Sequence, residues 1–358
     1  MGPRPTVPMN APDRSSLRLT DFSHGGGCGC KVAPALLREI LAKATHGVVP
    51  KELLVGIETA DDAAVYRIND TQAIVATTDF FMPIVDDPYD FGAIAATNAI
   101  SDIYAMGATP LFALAIVGMP VGQLPVATIQ RVLEGGEAIC AKAGIPIAGG
   151  HTIDSVEPIY GLVAIGIVDP RHLRRNVGAK RGDALVLGKP LGIGIYSAAL
   201  KRGQLGAEQY AAMLKSTTEL NTPGIALARM PAVHALTDVT GFGLLGHALE
   251  MCRGSKLGAQ IVFARLPLHP GVMALAREGI ATGASARNWA SYGAEVVLAD
   301  DDPVTRVLLT DPQTSGGLLV ACAADAVDAV LALFRAEGLA QAACIGEFVA
   351  GPAQVTVR

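Results

Sequence analysis

The segment AIVATTDFFMPIVDDPYDFGAIAATNAISDIYAMG, residues 73–107, combines a strand pattern with a long apolar helix. The apolar run Ala73–Thr78 predicts a strand that leads directly into Asp79. A helix is predicted from Phe91 to Met106, and a glycine ends it. Asp102 is the only charged residue of that helix, so we expect a helix buried on most sides and an aspartate that needs a cationic partner. The alternative is an aspartate on the surface of the helix.

Outward from this segment, strands and helices mix in both halves of the 358-residue chain, which is too long for one ordinary core. Among the other predicted strands are Ala64–Ile68, Leu111–Val117, Ala184–Leu187 and Leu318–Ala321. A polar, basic segment around residues 169–183 separates the halves. We predict an α+β chain of two α/β-type domains with mixed sheets, at 32–172 and 173–358, preceded by a mobile glycine-rich arm at 1–31.

One pattern recurs, an apolar strand that closes in Thr-Asp. It is predicted before Asp79, Asp238 and Asp311, with the last strand at Val307–Leu309. Carboxylates at strand ends lie where a sheet opens to solvent and ligands. Three dipeptides do not establish a sequence repeat, but each of these aspartates is expected at such an opening.

Composition and charge exclude several classes of protein. Lys and Arg number 28 against 33 Asp and Glu, a net charge of −5 without a basic stripe, which argues against nucleic acid as a partner. The longest apolar run, Leu111–Met119, suits a buried strand and is too short to span a membrane. The N-terminus lacks the apolar core of a secretory signal, and the six cysteines form no disulfide framework, so we expect a cytoplasmic protein.

The loop SHGGGCGCK, residues 23–31, carries two thiols and an amine among four glycines. Lys31 lies three residues from Cys28 and would favour the thiolate by its charge, which makes Cys28 a candidate nucleophile. A metal site on Cys28 and Cys30 is disfavoured because no second Cys/His pair has ligand spacing. An inert flexible tail is the remaining alternative.

Acidic residues form a second group of candidates. Asp61 and Asp62 are adjacent before a predicted strand, and Asn98 and Asp102 share one helix face at i, i+4 spacing. Carboxylates repel a polyphosphate unless Mg²⁺ lies between them, and Mg²⁺ prefers oxygen ligands. The chain has no GxxxxGK[ST] loop, so a nucleotide site here would rely on metal ions for much of its phosphate neutralisation.

Two glycine motifs are less specific. GFGLLG at 241–246 fits the dinucleotide fingerprint, but the following strand leads to Arg265 instead of an acidic residue, so a turn that brings Asp238 to a ligand is the better interpretation. GGHT at 149–152 follows a predicted strand, and its backbone could approach a nucleotide closely.

Taken in order, seven motifs resemble the selenophosphate synthetase (selenide, water dikinase) family from about Leu17 to the C-terminus. They are SHGGGCGCK, ETADDAAVY, TTDFFMPIVDDP, NAISDIYAMGA, AGGHTID, TDVTGFGLLGH and DPQTSGG. The resemblance implies the aminoimidazole ribonucleotide synthetase-like fold and a homodimer formed by pairing of N-terminal-domain sheets. It also implies that ATP, selenide and water give selenophosphate, phosphate and AMP. Selenide is then a substrate, and a selenium-delivery protein is a possible partner.

The resemblance also assigns roles to individual residues. Cys28 matches the catalytic position and Lys31 the lysine that contacts the nucleotide phosphates. Asp62, Asp102 and Asp238 match magnesium ligands. The positions that match nucleotide contacts are Thr59, Ala60, Asp61, Asp79, Asp102, Gly150, His151 and Thr152. Three other interpretations stay open, namely another member of the same ATP-binding superfamily, a regulatory homologue without catalysis, and a selenium carrier that works through Cys28 and Cys30 alone.

Overall fold

A computed structural model describes residues 18–41, 49–56, 61–300 and 302–358 of the chain. Each half carries one mixed sheet with helices packed against it, so the predicted α+β class with mixed sheets is confirmed. The predicted limits of the arm and of the two domains remain predictions. None of the helices in the described ranges is long and apolar enough to cross a membrane.

The sheet of the N-terminal half has the described strand order β1-β2-β3-β6-β4-β5, in which only the β4–β5 pair is parallel. Its strands are β1 (Leu53–Val55), β2 (Ala64–Arg67), β3 (Ala73–Phe81), β4 (Thr109–Met119), β5 (Ile147–Asp154) and β6 (Ile159–Val168). The helices of this half are α1 (Pro34–Leu41), α2 (Pro88–Ala105) and α3 (Val126–Lys142).

The sheet of the C-terminal half has the described order β10-β13-β9-β12-β7-β11-β8, with parallel pairing at β10–β13 and β13–β9. Its strands are β7 (Ala184–Leu187), β8 (Val233–Asp238), β9 (Gly258–Ile261), β10 (Val296–Leu298), β11 (Leu318–Cys322), β12 (Ala343–Val349) and β13 (Val355–Val357). The helices are α4 (Ile193–Lys201), α5 (Ala207–Thr217), α6 (Pro223–Ala228), α7 (Gly243–Ser255), α8 (Val272–Arg277), α9 (Gly283–Tyr292), α10 (Pro303–Thr310) and α11 (Val327–Ala336).

Helix α2 lies between the two halves, which explains why it is apolar on nearly every side. It packs on β3, β6 and α3 of its own half and on β8, α5 and α6 of the other. The Asp87 carboxylate caps its first turn by accepting from the Asp90 amide at 3.0 Å. A Cβ at Gly92 would lie 1.8 Å from the Val132 carbonyl oxygen, so the α2–α3 crossing requires glycine there. The prediction of a buried helix around Asp102 is confirmed.

The strand predicted at Val307–Leu309 is wrong, because these residues belong to helix α10. Asp302 caps that helix through the Val304 amide, and a proline follows at its first position. Apolar residues at 304, 307 and 308 have helical spacing. The three-residue segment 307–309 is too short to show that spacing. Asp311 accordingly follows a helix, and its Oδ2 accepts the Gly194 amide at 2.9 Å instead of joining the other aspartates.

Candidate active site

The three predicted metal ligands converge although they come from distant parts of the chain. Asp62 precedes β2, Asp102 lies in the last turns of α2, and Asp238 ends β8. One carboxylate oxygen of each lies within 4.8 Å of the others. The site therefore lies where the two halves of the molecule meet.

Each of these carboxylates accepts a hydrogen bond from the hydroxyl group of a nearby side chain. Thr77 Oγ1 donates to Asp102 Oδ2 at 2.5 Å, and Thr237 Oγ1 donates to Asp62 Oδ1 at 2.8 Å. Ser101 Oγ donates to Asp238 Oδ2 at 2.5 Å. None of these three hydroxyl groups was predicted from the sequence. Residues 98, 101 and 102 are the polar positions of one face of α2, a helical pattern that could have identified Ser101.

The electrostatics of this cluster fit a divalent cation. Burial raises the pKa of Asp62 and of Asp102 well above the usual value, and repulsion from Asp238 raises both further. Burial also raises the pKa of Asp238 itself. Asp62 Oδ2 is buried and has no hydrogen-bond partner among the described residues. This set of carboxylate oxygens, in which Asp62 Oδ2 is free to bind a cation, suits Mg²⁺, because Mg²⁺ prefers oxygen ligands.

Beside the cluster, Lys31 forms an ion pair with Asp79. The Lys31 ammonium lies 3.0 Å from Asp79 Oδ2, and the lysine side chain is 37% exposed. Desolvation opposes its charge, but the carboxylates of Asp79 and Asp102 raise the pKa of Lys31 well above its usual value. Lys31 therefore stays positively charged at the edge of the acidic cluster.

Cys28 is buried on the inner side of the glycine loop, with a relative exposure of 1%. Its Sγ donates to Asn98 Oδ1 at 3.2 Å, and its amide donates to Thr314 Oγ1 at 3.0 Å. Burial raises the pKa of the thiol well above its usual value and outweighs the opposing effect of Lys31. Lys31 thus acts on the thiol in the predicted direction, but burial has the larger effect, and it favours the neutral thiol in this arrangement.

Asn98 connects these groups. Its Nδ2 donates to Asp79 Oδ2 at 2.6 Å, and its Oδ1 also accepts the Ser315 amide at 2.7 Å. Ser315 adopts a φ of +51°, in the left-handed region, so the DPQTSGG segment makes a tight bend beside the site. One amide side chain on α2 thereby contacts the glycine loop, strand β3 and the C-terminal half.

The glycine loop packs against the first residue of the GFGLLG motif, Gly241. A Cβ at Gly241 would lie 2.7 Å from the Cys28 carbonyl oxygen and 3.3 Å from Lys31 Cδ. The absence of a side chain at 241 lets the loop backbone approach closely, as expected for a turn next to Asp238.

Of the remaining predicted contacts, Asp61 lies next to the cluster, and its charge adds to the raised pKa of Asp62. The others lie apart from the cluster or outside the described residues. Thr59 and Ala60 are outside the described residues. Asp61 Oδ1 accepts the Asn176 amide at 2.8 Å. Gly150, His151 and Thr152 are exposed on β5, at the opposite edge of the N-terminal sheet and separated from β3 by β6 and β4.

A selenide, water dikinase of Burkholderia orbicola (strain MC0-3) is 65% identical to this chain over 341 residues, 95% of this chain and 96% of the relative. The chain belongs to the selenide, water dikinase family. A member of this family from Rhizobium meliloti (strain 1021) is 58% identical over 341 residues, 95% of this chain and 98% of the relative. The resemblance drawn from the seven motifs is confirmed.

The family's two-part architecture is matched as well. Residues 60–168 match the AIR synthase related protein, N-terminal domain, and residues 180–358 match the C-terminal domain of the same description. Thiamine-monophosphate kinase from Stenotrophomonas maltophilia K279a is similar in structure, with a TM-score of 0.62 and 21% identity. The alignment covers 90% of this chain and 95% of that one. At this identity the likeness concerns the fold alone.

Proposed function

We propose that this member of the family converts ATP, selenide and water into selenophosphate, phosphate and AMP. The single observation that carries the proposal is the Cys28–Lys31 loop docked on Asp79 and Asn98, beside three converging aspartates. A general ATP-binding relative would use the aspartates but would have no need of a buried thiol. A regulatory homologue without catalysis would be expected to have lost Cys28 or Lys31, and both are present.

In this proposal Asp62, Asp102 and Asp238 hold magnesium. Their raised pKa values and the orphaned Asp62 oxygen support the assignment, because a cation would relieve the repulsion among them. When bound, the metal would neutralise phosphate charge and orient the phosphates of ATP. By resemblance, the nucleotide contacts are Lys31, Thr59, Ala60, Asp61, Asp79, Asp102, Gly150, His151 and Thr152.

The residues of the chain itself would act by charge and by exclusion of water. Lys31 is a mobile point charge that can exchange its Asp79 partner for a phosphate oxygen. The docked glycine loop covers the acidic cluster and would keep water from the nucleotide until the acceptor arrives. Cys28, the proposed catalytic residue, is held as a thiol by Asn98 and would be released as the loop opens.

A homodimer is also part of the proposal. Alternate residues of β3 face away from α2, and Ile74, Phe80 and Ile153 on this outer face are exposed apolar residues, Phe80 at 47%. Strand β5 forms an exposed edge with β4 as its described neighbour. An apolar sheet face beside a free edge supports pairing with a second copy through the N-terminal sheets.

Light scattering after gel filtration tests this arrangement. Wild type should have twice the chain mass, and Phe80→Glu should shift towards the monomer mass because it places a charge on the proposed interface. Val126→Glu, at a 70% exposed apolar position on α3, is the matched control. A monomeric wild type would contradict the homodimer.

We also propose a cytoplasmic setting, which the six free cysteines support, since such thiols persist in a reducing compartment. A protein that delivers selenium is the proposed source of selenide.

Phosphorus NMR of anaerobic reactions tests the function. With ATP, Mg²⁺ and selenide, the products should be selenophosphate, phosphate and AMP in equal amounts. The Cys28→Ser variant should lose selenophosphate formation. ADP as the only product, nucleotide consumption that does not depend on selenide, or full activity of Cys28→Ser would contradict the proposal and favour another activity of the superfamily.

A further inference from the structure

A pocket of about 240 Å³ lies behind the glycine loop, on the side away from the acidic cluster. The side chains of Cys28 and Lys31 point to Asn98 and Asp79, whereas the pocket wall is the backbone of Gly25, Gly26 and Gly29. Only the thin, glycine-rich segment therefore separates the pocket from the buried thiol.

The opposite walls of the pocket are positively charged. Lys201, at the end of α4, donates to the Ser23 carbonyl oxygen at 3.0 Å. Arg287 of α9 donates to the Gly29 carbonyl oxygen at 3.0 Å. Both partners are neutral, so these hydrogen bonds position the two cations without cancelling their charge.

The first turn of α9 adds to this potential. Thr282, Gly283 and Ala284 line the pocket, and they form the N-terminus of a ten-residue helix. The amides of a first helical turn have no partners within the helix, and the helix dipole is positive at this end. Two cationic side chains and a helix N-terminus thus converge on one cavity.

The nearby carboxylate of Glu157 offsets only part of this positive charge, because it lies outside the pocket lining. The pocket has no aspartate or glutamate among its described lining residues. Glu157, nearby, accepts from the His24 backbone amide at 2.8 Å and pairs with the His24 ring at 2.9 Å. These hydrogen bonds, with a smaller effect of Lys201, lower the pKa of Glu157, and Glu157 does not line the pocket.

The phosphoryl acceptor of the proposed reaction is an anion, so a route lined by positive charge would favour its binding. Selenide exists in neutral water as the hydroselenide anion, HSe⁻. From the cluster side it would meet the four carboxylates of Asp62, Asp79, Asp102 and Asp238 and the phosphates of ATP. A cavity lined by positive charge raises the local concentration of an anion.

We propose that the pocket between Lys201, Arg287 and the N-terminus of α9 binds the hydroselenide anion and holds it behind the glycine loop before phosphoryl transfer. The inference rests on the proposed function, because it names the binding site of the acceptor for that reaction. Opening of the loop would bring the bound anion to the Cys28 side without passage through the acidic cluster.

Ser197 offers a test that leaves unchanged the two residues that contact the loop, Lys201 and Arg287. It lines the pocket on α4, one turn before Lys201, so an aspartate at 197 would pair with Lys201 at i, i+4 spacing and cancel its charge. Ser197→Asn is the neutral variant of the same size. Initial rates are measured anaerobically against selenide at saturating Mg²⁺ and ATP, and then against ATP.

The apparent KM for selenide should be about fivefold higher in Ser197→Asp than in Ser197→Asn, with equal KM values for ATP. Equal selenide KM values in the two variants, or a rise in the KM for ATP as large as that for selenide, would overturn the inference. If Ser197→Asp does not fold, Arg287→Gln and Arg287→Lys give the same comparison, with the lower selenide KM expected for lysine. A wild type that consumes no selenide would instead contradict the proposed function.

Discussion

At the scale of single residues, Asn98 is the group on which the arrangement of the site depends most. It is fully buried and contacts Cys28, Asp79 and Ser315 with three of its hydrogen-bonding positions. The sequence indicated that Asn98 shares a helix face with Asp102, because i, i+4 spacing fixes that geometry locally. Its contacts with Cys28 and Ser315 join residues 70 and 217 positions apart, which no local pattern predicts.

We predict that Asn98→Ala lowers kcat/KM about 10- to 100-fold. The variant removes the acceptor of the thiol and the donor to Asp79, and a hydrogen bond to a charged group is worth about 1.5–3 kcal/mol. Cys28 should also react faster with iodoacetamide, because its inner anchor is lost. Thr97→Ala is the matched control, since the buried Thr97 hydroxyl donates only to the Ala93 carbonyl in the described contacts. Unchanged alkylation of Cys28 in Asn98→Ala would count against the anchoring role.

At the scale of elements, local sequence patterns located most strands and helices. The secondary structure of helix α10 and the contact made by the GFGLLG turn were not predictable from short local patterns. Strand β7 has its predicted limits, because turns bound it on both sides. Helix α10 was predicted as a strand because only its last apolar residues were considered. The GFGLLG turn could be assigned to a position next to Asp238, but its contact with the glycine loop depends on tertiary packing.

We predict that Gly241→Ala disturbs the docked loop. The new methyl group would lie 2.7 Å from the Cys28 carbonyl oxygen, a distance that forces the loop backbone to move. Overpacking of this kind costs about 1–3 kcal/mol, so kcat/KM should fall about tenfold while alkylation of Cys28 accelerates.

The control for this variant is Gly122→Ala, where a Cβ would meet no atom within 4 Å. A Gly241→Ala enzyme with the kinetics of wild type would show that the loop does not need its close approach to residue 241.

At the scale of the whole molecule, the site exists only where the two halves meet. Asp62 and Asp102 come from the N-terminal half and Asp238 from the C-terminal half, and the site is completed by a loop that precedes both sheets. The sequence predicted these aspartates through motif resemblance. The sequence does not predict that their carboxylate oxygens lie within 4.8 Å of one another, or that hydroxyl groups donate to them. Both features depend on how the two halves pack.

This location predicts that Mg²⁺ and ATP stabilise the protein together. A ligand at 100 times its Kd adds about 2.7 kcal/mol of stability, so the Tm should rise by about 5 °C with both ligands and by much less with either one. Differential scanning fluorimetry checks this synergy, and Asp238→Asn should abolish it by removing a carboxylate from the proposed metal site.

The same variant should have the opposite effect without ligands. Burial and repulsion raise the pKa values of Asp62 and Asp102, so their ionised forms destabilise the unliganded fold at neutral pH, where the unfolded chain has them fully charged. Removing the Asp238 charge relieves part of that repulsion, so the unliganded Asp238→Asn protein should melt at or above the wild-type Tm. Asp70→Asn, in an exposed turn, is the control, and it should change neither the unliganded Tm nor the joint stabilisation by Mg²⁺ and ATP. Synergy that survives in Asp238→Asn would show that the metal and the nucleotide meet elsewhere in the molecule.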